Sequence, residues 1–407
     1  MTLLPLAEAQ ARVLAQVKAL PSVVVPLGEA RGLVLAQDVT AKENIPPFAN
    51  TGMDGFAVKA ADTAGATSSN PVALAVAGTI AAGAVADRPL NHGEAMRIMT
   101  GAPLPDGADA VIMVELTSPD PSGDDRIVLC TAEVQVGNHV RPAGDDLLAG
   151  DLVFRPGEVL SPAHIGMLAT LGYYDVKVIQ RPRVGVFSTG DELVIGAEPL
   201  GPGQIRDSNR PQLLALVAEA GLEPIDLGWL PDDEVMIESA LREAAERCDA
   251  LVTSGGVSMG DFDFVKAILQ RLGEMNWMQI AIKPAKPFAF GTVLETPIFG
   301  LPGNPVSSAV SFELLARPAL LAMMGRPDTQ RRHVWAMADE PMPRKADGKT
   351  HFVRVTVSES IDGAPRIRSA GNQGSHQLSG LANANGLAAI PDGDGLATGD
   401  RVNVLLL

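Results

Sequence analysis

Between residues 184 and 315 short apolar runs alternate with helical ones, and this alternation restricts the chain more than any other feature. The runs at 184–188 (VGVFS), 223–228 and 250–253 have the length and β-branched content of buried strands. The runs at 211–220, 234–248 and 264–272 carry apolar residues at helical spacing. Strand and helix in repeated succession, joined by short Gly/Asp loops, predict a parallel, doubly wound sheet. Right-handed crossovers then bring the loops that follow each strand to one sheet edge. Those loops are STGDEL (188–193), LPDD (230–233), TSGGVSMGDFD (253–263) and LPGNPVSS (301–308).

The last loop opens the stretch IFGLPGNPVSSAVSFELL (298–315). Here an apolar run ends at Phe299, a Gly-Leu-Pro-Gly turn follows, and Asn304 and Pro305 stand where a helix N-cap and first turn belong. The first N–H groups of such a helix lack intrahelical acceptors, so an oxyanion near Val306, Ser307 and Ser308 is stabilised. Gly255 and Gly256 would let backbone N–H groups approach a phosphate. Glu192, Asp232, Asp233, Asp261 and Asp263 offer the hard oxygen atoms that Mg²⁺ prefers. Taken singly, an Asp at 232, 233, 261 or 263 is better explained as a helix cap; four such loops on one edge favour a metal or phosphate site. Between the last two loops, NWMQIAIKPAKPFAFGTV presents Lys283 and Lys286 from a segment stiffened by Pro284 and Pro287. Two ammonium groups beside a free helix start attract oxyanions.

The flanks differ in texture. Residues 6–20 are spaced as a helix, and 27–38 form a shorter packing segment. Asp54 sits at a Gly-flanked turn in KENIPPFANTGMDGFAVKAADT. From 72 to 136 short β-like runs predict a small β domain, with Thr100 and Gly101 at a strand-to-turn position. Arg141 stands close to Asp145 and Asp146 in a polar turn, and a helix is expected from 162 to 171. After Arg326-Pro327 the pattern is β again and suggests a small barrel, in which Arg354 lies on a strand and Ser375 and His376 follow a Gly turn. With 407 residues the chain is too long for one core. Its formal charge of −16, without a Lys/Arg run, disfavours nucleic acid or an anionic membrane surface, so any anion must be held by a local basic site. Cys130 and Cys248 form no metal or disulfide pattern, the N-terminus lacks the order of a secretory signal, and no apolar run approaches the roughly 20 residues of a spanning helix. A cytoplasmic protein is the expectation.

Seven motifs, TGMDGFAVKAADT, RIMTGAPLPDGADAVIMVE, STGDELV, TSGGVSMGDFDF, IKPAKPFAFG, GLPGNPVSS and GNQGSH, occur in an order that resembles the molybdopterin molybdenumtransferases, the MoeA and gephyrin E-domain type. The resemblance spans residues 6 to 407. It implies a multidomain α/β and β protein: an elongated helical linker domain (1–49 and 141–177), an inserted β domain (50–140), a doubly wound parallel α/β domain (178–327) and a C-terminal β barrel (328–407). It also implies a homodimer with a site shared between subunits, other molybdenum cofactor biosynthesis proteins as partners, and insertion of molybdate into adenylylated molybdopterin with Mg²⁺ and release of AMP. A non-catalytic molybdopterin-binding scaffold of gephyrin type is the alternative. By resemblance, Asp54, Thr100, Asp146, Glu192, Asp233 and Asp263 match catalytic positions, with Glu192, Asp232 or Asp233, and Asp263 as metal ligands. Lys283, Lys286, Pro302, Pro305, Ser307, Arg354 and Ser375 match positions around molybdate and the substrate's anionic groups. The chain departs from the family pattern at Ala285, where Gly is usual, at Phe56, at Thr51-Gly52, and at Pro142-Ala143 with Asp145.

Overall fold

The strands expected around Val184 all form, and they share one six-stranded sheet in the computed structural model, which describes residues 3–255, 264–359 and 363–407. The strand order is Glu223–Leu230, Arg183–Thr189, Ala250–Ser254, Thr296–Leu301, Pro287–Val293, Met275–Gln279. The first four pair in parallel. The last two are antiparallel, which corrects the expectation of a wholly parallel sheet. The cause is a two-residue hairpin turn at Leu294 and Glu295, both with positive φ (48° and 74°), which reverses the chain without the Asn-Gly pair that usually announces such a turn. Helix Asn209–Glu219 packs on one side with the helix that starts at Pro305, while Glu234–Arg247 and Phe264–Leu272 pack together against the sheet, so the sheet is doubly wound. Phe187, Leu241, Leu251, Ile268 and Ile298 are part of the core beneath that second pair.

The helix Pro305–Met323 runs through the protein's interior. It is long and apolar enough to cross a bilayer, against the sequence expectation, yet 89% of that stretch is buried inside the protein, as in a core helix. Its middle, Phe312–Ala316, is a π-helical turn. Pro318 follows, and because proline has no N–H it cannot serve the Leu314 carbonyl four residues back. The Gln10 side chain does so instead, donating to Leu314 O at 2.8 Å.

The C-terminal strands close into a five-stranded barrel, in the order Thr350–Glu359, Pro365–Ser369, His333–Ala338, Arg401–Leu406, Gly386–Ile390 and back to the first. Val355, Ile367, Val402 and Val404 help to fill it. Ile282–Lys283 adds in parallel at Thr350 and His351, tying the lysine segment to the barrel.

By contacts the chain divides into Met1–Ala36, Gly157–Ile165 and Asp175–Leu407, which contain the elements above, and a second unit of Gln37–Pro156 and Gly166–Tyr174. The second unit holds another six-stranded sheet, in the order Ala110–Met113, Gly55–Val58, Glu94–Ile98, Val72–Ile80, Ile127–Cys130, Thr117–Pro119. Gly55 is obligatory there, since a Cβ would lie 2.0 Å from the Ile112 carbonyl oxygen. The segments read as a helical linker carry the helices Leu6–Leu14 and Pro162–Thr170 together with two-stranded ladders such as Ser22–Pro26 with Asp175–Ile179. The first helix stops at Leu14, short of residue 20, and 27–38 begins as a single 3₁₀ turn.

Candidate functional site

The loops at the parallel edge meet through bare backbone. A Cβ at Gly255 would sit 3.4 Å from Thr189 O, and one at Gly303 would be 3.9 Å from Gly255 Cα. Asn209 Nδ2 donates to Gly303 O at 2.7 Å, pinning the turn before the buried helix. The Gly255 N–H is itself taken by Leu301 O at 3.0 Å, so Gly255 permits close approach but gives no donor to a phosphate, contrary to expectation. Gly256, Asp261 and Asp263 lie outside the described residues. Around this edge the hydroxyls of Thr253, Ser254 and Ser308 are buried and make no hydrogen bond among the described residues. That is unfavourable unless a polar ligand or water completes them.

Asn304 is the N-cap and Pro305 opens the helix, as expected, but the Asn304 side chain makes no cap bond. The Val306 N–H donates to Ser375 O (3.1 Å) and the Ser308 N–H to Asn304 O (2.9 Å), so two of the three N–H groups expected to be free are occupied. The Ser307 N–H remains the donor without a partner among the described residues, and the Ser307 side chain is buried beside it. Pro302 is buried just upstream.

Arg354 is the least ordinary residue of the site. Its side chain is 1% exposed and faces no carboxylate among the described residues. Its Nη2 donates to the carbonyls of Asn372 (2.8 Å) and Gly374 (3.1 Å), and its Nε has no partner among the described residues. Burial alone pulls the guanidinium below its ordinary pKa, yet an arginine stays charged at neutral pH. A buried cation without a counter-charge is costly, and an oxyanion would relieve that cost. Ser375 directly follows the carbonyls that hold Arg354 and reaches Val306, so the loop at 371–375 joins the guanidinium to the helix start. Beside it opens a cavity of about 600 Å³ lined by Lys283, Pro284, Arg344, His351, Arg354 and Gln373, among others. His351 is pushed below its ordinary value by burial and then by Arg344 and Lys283, against the pull of Asp347. Lys283 and Lys286 are both exposed on the stiff segment. Between them Ala285 holds φ 76°, the left-handed region that favours the glycine usual at this place.

The acidic loops behave differently. Glu192 folds back over Gly190, whose φ of 136° and lack of a Cβ make room for its carboxylate. Trp229 Nε1 fixes that turn by donating to Gly190 O at 2.8 Å. The Asp232 N–H donates to Asp191 Oδ1 at 3.1 Å, and burial, then Asp191 and Glu192, raise the Asp232 carboxyl above its ordinary value. Asp233 accepts from the Met236 N–H at 2.8 Å as the N-cap of Glu234–Arg247, the plain structural role, so Asp232 is the one facing the other acids. The oxygen-rich donor set suits Mg²⁺. Among the described residues no three carboxylates, cysteines or histidines are grouped tightly enough to hold a metal by themselves.

In the second unit, Asp54 and Thr100 do meet. Thr100 donates to Asp54 Oδ1 from both Oγ1 (2.6 Å) and N (2.7 Å), and these two bonds, with Arg97 adding less, hold the exposed carboxyl below its ordinary value. Asp146 lies on a turn pinned by its N–H to Ile45 O at 2.9 Å, and no hydrogen bond or ion pair among the described residues joins it to Asp54 or Thr100.

Three residues at the edge and the loop escape a reading of the sequence. Asp207 is buried and accepts from Ser188 Oγ (2.7 Å) and Arg210 Nε (3.1 Å), Asn209 reaches Gly303, and Gln373 grips Arg354. The local signals are the polar DSN ahead of Pro211 and, for Gln373, its place inside the GNQGSH motif.

The chain matches three family descriptions in succession: the MoeA N-terminal region (domain I and II) over residues 4–172, a probable molybdopterin binding domain over 185–322, and the MoeA C-terminal region (domain IV) over 341–407. Molybdopterin molybdenumtransferase 2 of Mycobacterium tuberculosis is 41% identical over 390 residues, covering 94% of each chain. The molybdopterin molybdenumtransferase of Haemophilus influenzae is 39% identical, covering 88% of this chain and 87% of its own. The crystal structure of the molybdopterin biosynthesis moeA protein of Pyrococcus horikoshii OT3 superposes with a TM-score of 0.81 at 32% identity over 100% of both chains, so the multidomain fold is shared. By sequence and by architecture the chain belongs to the molybdopterin molybdenumtransferase family.

Proposed function

We propose that this chain, an enzyme of molybdenum cofactor biosynthesis, inserts molybdate into adenylylated molybdopterin with Mg²⁺ and releases AMP. The observation that carries the reading is Arg354, a buried guanidinium without a carboxylate, joined by one loop to a helix start that has a donor to spare. A tetrahedral dianion of molybdate's size suits that wall: Arg354 supplies full charge, the Ser307 N–H and hydroxyl supply directed donors, and Lys283 and Lys286 supply further charge at the rim. Pro302 and Pro305 keep the turn rigid, so the donors need little reordering when the anion arrives.

On the acidic edge, Glu192 and Asp232, with Asp191 beside them and Asp263 beyond the described residues, would hold Mg²⁺ through hard oxygens. When bound, that ion neutralises phosphate oxygens and the charge on departing AMP. In the reaction a water oxygen bonds to phosphorus as the phosphoanhydride bond between the pterin phosphate and AMP breaks, and AMP leaves as the anion. The two dithiolene sulfurs replace two molybdate oxygens, which leave as water with protons from the dithiol and solvent, molybdenum staying Mo(VI). The chain's own share is to hold both anions within reach and exclude bulk water. The Asp54–Thr100 pair and Asp146 belong to the same reading as substrate-facing polar groups. So do a cytoplasmic homodimer that shares its site between subunits and exchange with other cofactor biosynthesis proteins. Purified protein incubated with adenylylated molybdopterin, molybdate and Mg²⁺ is expected to release AMP in proportion to the molybdate supplied, without consuming ATP. AMP release that ignores molybdate, or none at all, overturns the reading.

A further inference from the structure

Arg354 sits where its strand runs out of partners. On one side the ladder to Gly386–Ile390 continues through Arg354 and Leu387, but on the other the ladder to Pro365–Ser369 ends at Val355 and Ser369. The Arg354 N–H on the open side would therefore be unpaired inside the protein. The Ala370 N–H still donates to the Arg354 carbonyl there at 3.0 Å, and the Gln373 side chain supplies the acceptor that the next strand residue would have given. Its Oε1 accepts from the Arg354 N–H at 2.9 Å, and its Nε2 donates to the Arg354 carbonyl at 3.0 Å, to Ser369 Oγ at 3.1 Å and to Gly371 O at 3.0 Å. Its neighbours on both sides, Asn372 and Gly374, turn their carbonyls onto Arg354 Nη2. One residue further on, Ser375 O receives the Val306 N–H.

We propose that Gln373 is the positioning residue of the oxyanion site: by gripping the Arg354 backbone it sets the loop that aims the guanidinium and joins it to the helix start. The inference rests on the molybdate reading above. Gln373 need not touch the anion, and its effect passes through the angle and rotamer of Arg354. A rigid clamp also explains how a buried charge keeps one orientation when only two carbonyls hold its guanidinium. Gly380 offers a second handle on the same loop. A Cβ there would lie 2.7 Å from Asn372 O and 3.8 Å from Arg354 Nε, so Gly380→Ala must displace the carbonyl that holds the guanidinium without removing any Gln373 bond partner.

The test uses Gln373→Ala, Gly380→Ala and the unaltered enzyme, with molybdate itself as the titrant in calorimetry and as the varied substrate in AMP release. Both variants are expected to weaken molybdate binding and raise KM for molybdate about tenfold, the size of effect expected when a carbonyl bond that orients the guanidinium is disturbed. KM for adenylylated molybdopterin, and kcat at saturating molybdate, should move less than about twofold. A merely structural role would lower the active fraction, and so kcat, with no change in KM for molybdate; that result overturns the inference. Unchanged molybdate affinity in a folded Gln373→Ala or Gly380→Ala protein does the same. If the unaltered enzyme shows no molybdate-dependent AMP release, the functional reading fails instead, and the two failures are told apart by that control.

Discussion

Arg354 and Asp232 lie on the same unit, and each is an ionised group in want of an opposite charge, yet their surroundings differ in kind. Arg354 is buried, oriented by two carbonyls, and served by a side-chain clamp from Gln373. Asp232 stays partly exposed, with Asp191 and Glu192 for neighbours, and partial loss of water, then their charge, raise its carboxyl above the ordinary value. The first arrangement is held in place by backbone hydrogen bonds to Arg354 and to the helix start, with Arg354 Nε and the Ser307 N–H left without partners among the described residues. The second is a group of mutually repelling oxygens, a setting that a bound cation or a proton relieves. On the proposed function, such an oxyanion wall and acidic edge would divide two tasks, one of recognition and one of charge neutralisation.

The contrast can be broken most sharply at Arg354. Arg354→Met keeps the side-chain bulk and removes the charge, and it should lower molybdate-dependent turnover by about 10²–10³-fold, the cost of losing an oriented donor in a closed site. Circular dichroism should show the fold retained. A loss under tenfold would mean that the wall is not what recognises the anion.

At the acidic edge the expected effect is smaller and depends on pH. The folded-state pKa of Asp232 is raised above its ordinary value of 3.8, so the proton is bound more tightly in the folded chain. The associated stability is fully present below pH 3.8 and is lost as pH rises through the folded value. Asp232→Asn should therefore raise Tm in EDTA at pH 7, show no such gain below pH 3.8, and increase the Mg²⁺ concentration needed for half-maximal AMP release. A lower Tm at pH 7 would contradict the repulsion. Asp233→Ala sharpens the same point. It should cost about 1 kcal/mol of stability through loss of the N-cap bond to Met236 and leave the Mg²⁺ requirement unchanged. A shift in that requirement would make Asp233 a ligand after all.

The smallest effect is expected between the lysines. Relief of the left-handed backbone at Ala285 is worth about 1 kcal/mol, and loss of the buried methyl costs about 0.8 kcal/mol. Greater freedom of glycine in the unfolded chain costs another 0.4–1 kcal/mol or so. Ala285→Gly should thus shift the denaturant midpoint little, and a change above about 2 kcal/mol would show that one of these terms is misjudged.

What could be read from the sequence follows from the range of the interactions involved. The strands at 184–188 and 250–253, the helices behind them and the start at Asn304-Pro305 depend on local spacing and caps, and they appear where expected. The hairpin at Leu294 and Glu295 was hidden because its two positive-φ residues are not glycine or asparagine. Asn209 and Gln373 were hidden for another reason: their bonds to Gly303 and Arg354 join side chain to distant backbone, and no periodicity encodes such a pair. The motifs pointed to Arg354 and Ser375 as site positions, but not to the loss of the Val306 N–H to Ser375 or of the Gly255 N–H to Leu301. Asp232 and Asp233, adjacent and chemically alike, could be separated only by seeing which one caps the helix.

The central claim is that the oxyanion wall is preformed and independent of the acidic edge. Calorimetric titration of molybdate into the cation-free protein in EDTA tests it directly, with Arg354→Met run alongside. The account predicts saturable binding at one site per chain without Mg²⁺, absent from Arg354→Met. Binding that appears only when Mg²⁺ is restored, or that survives in Arg354→Met, would contradict it.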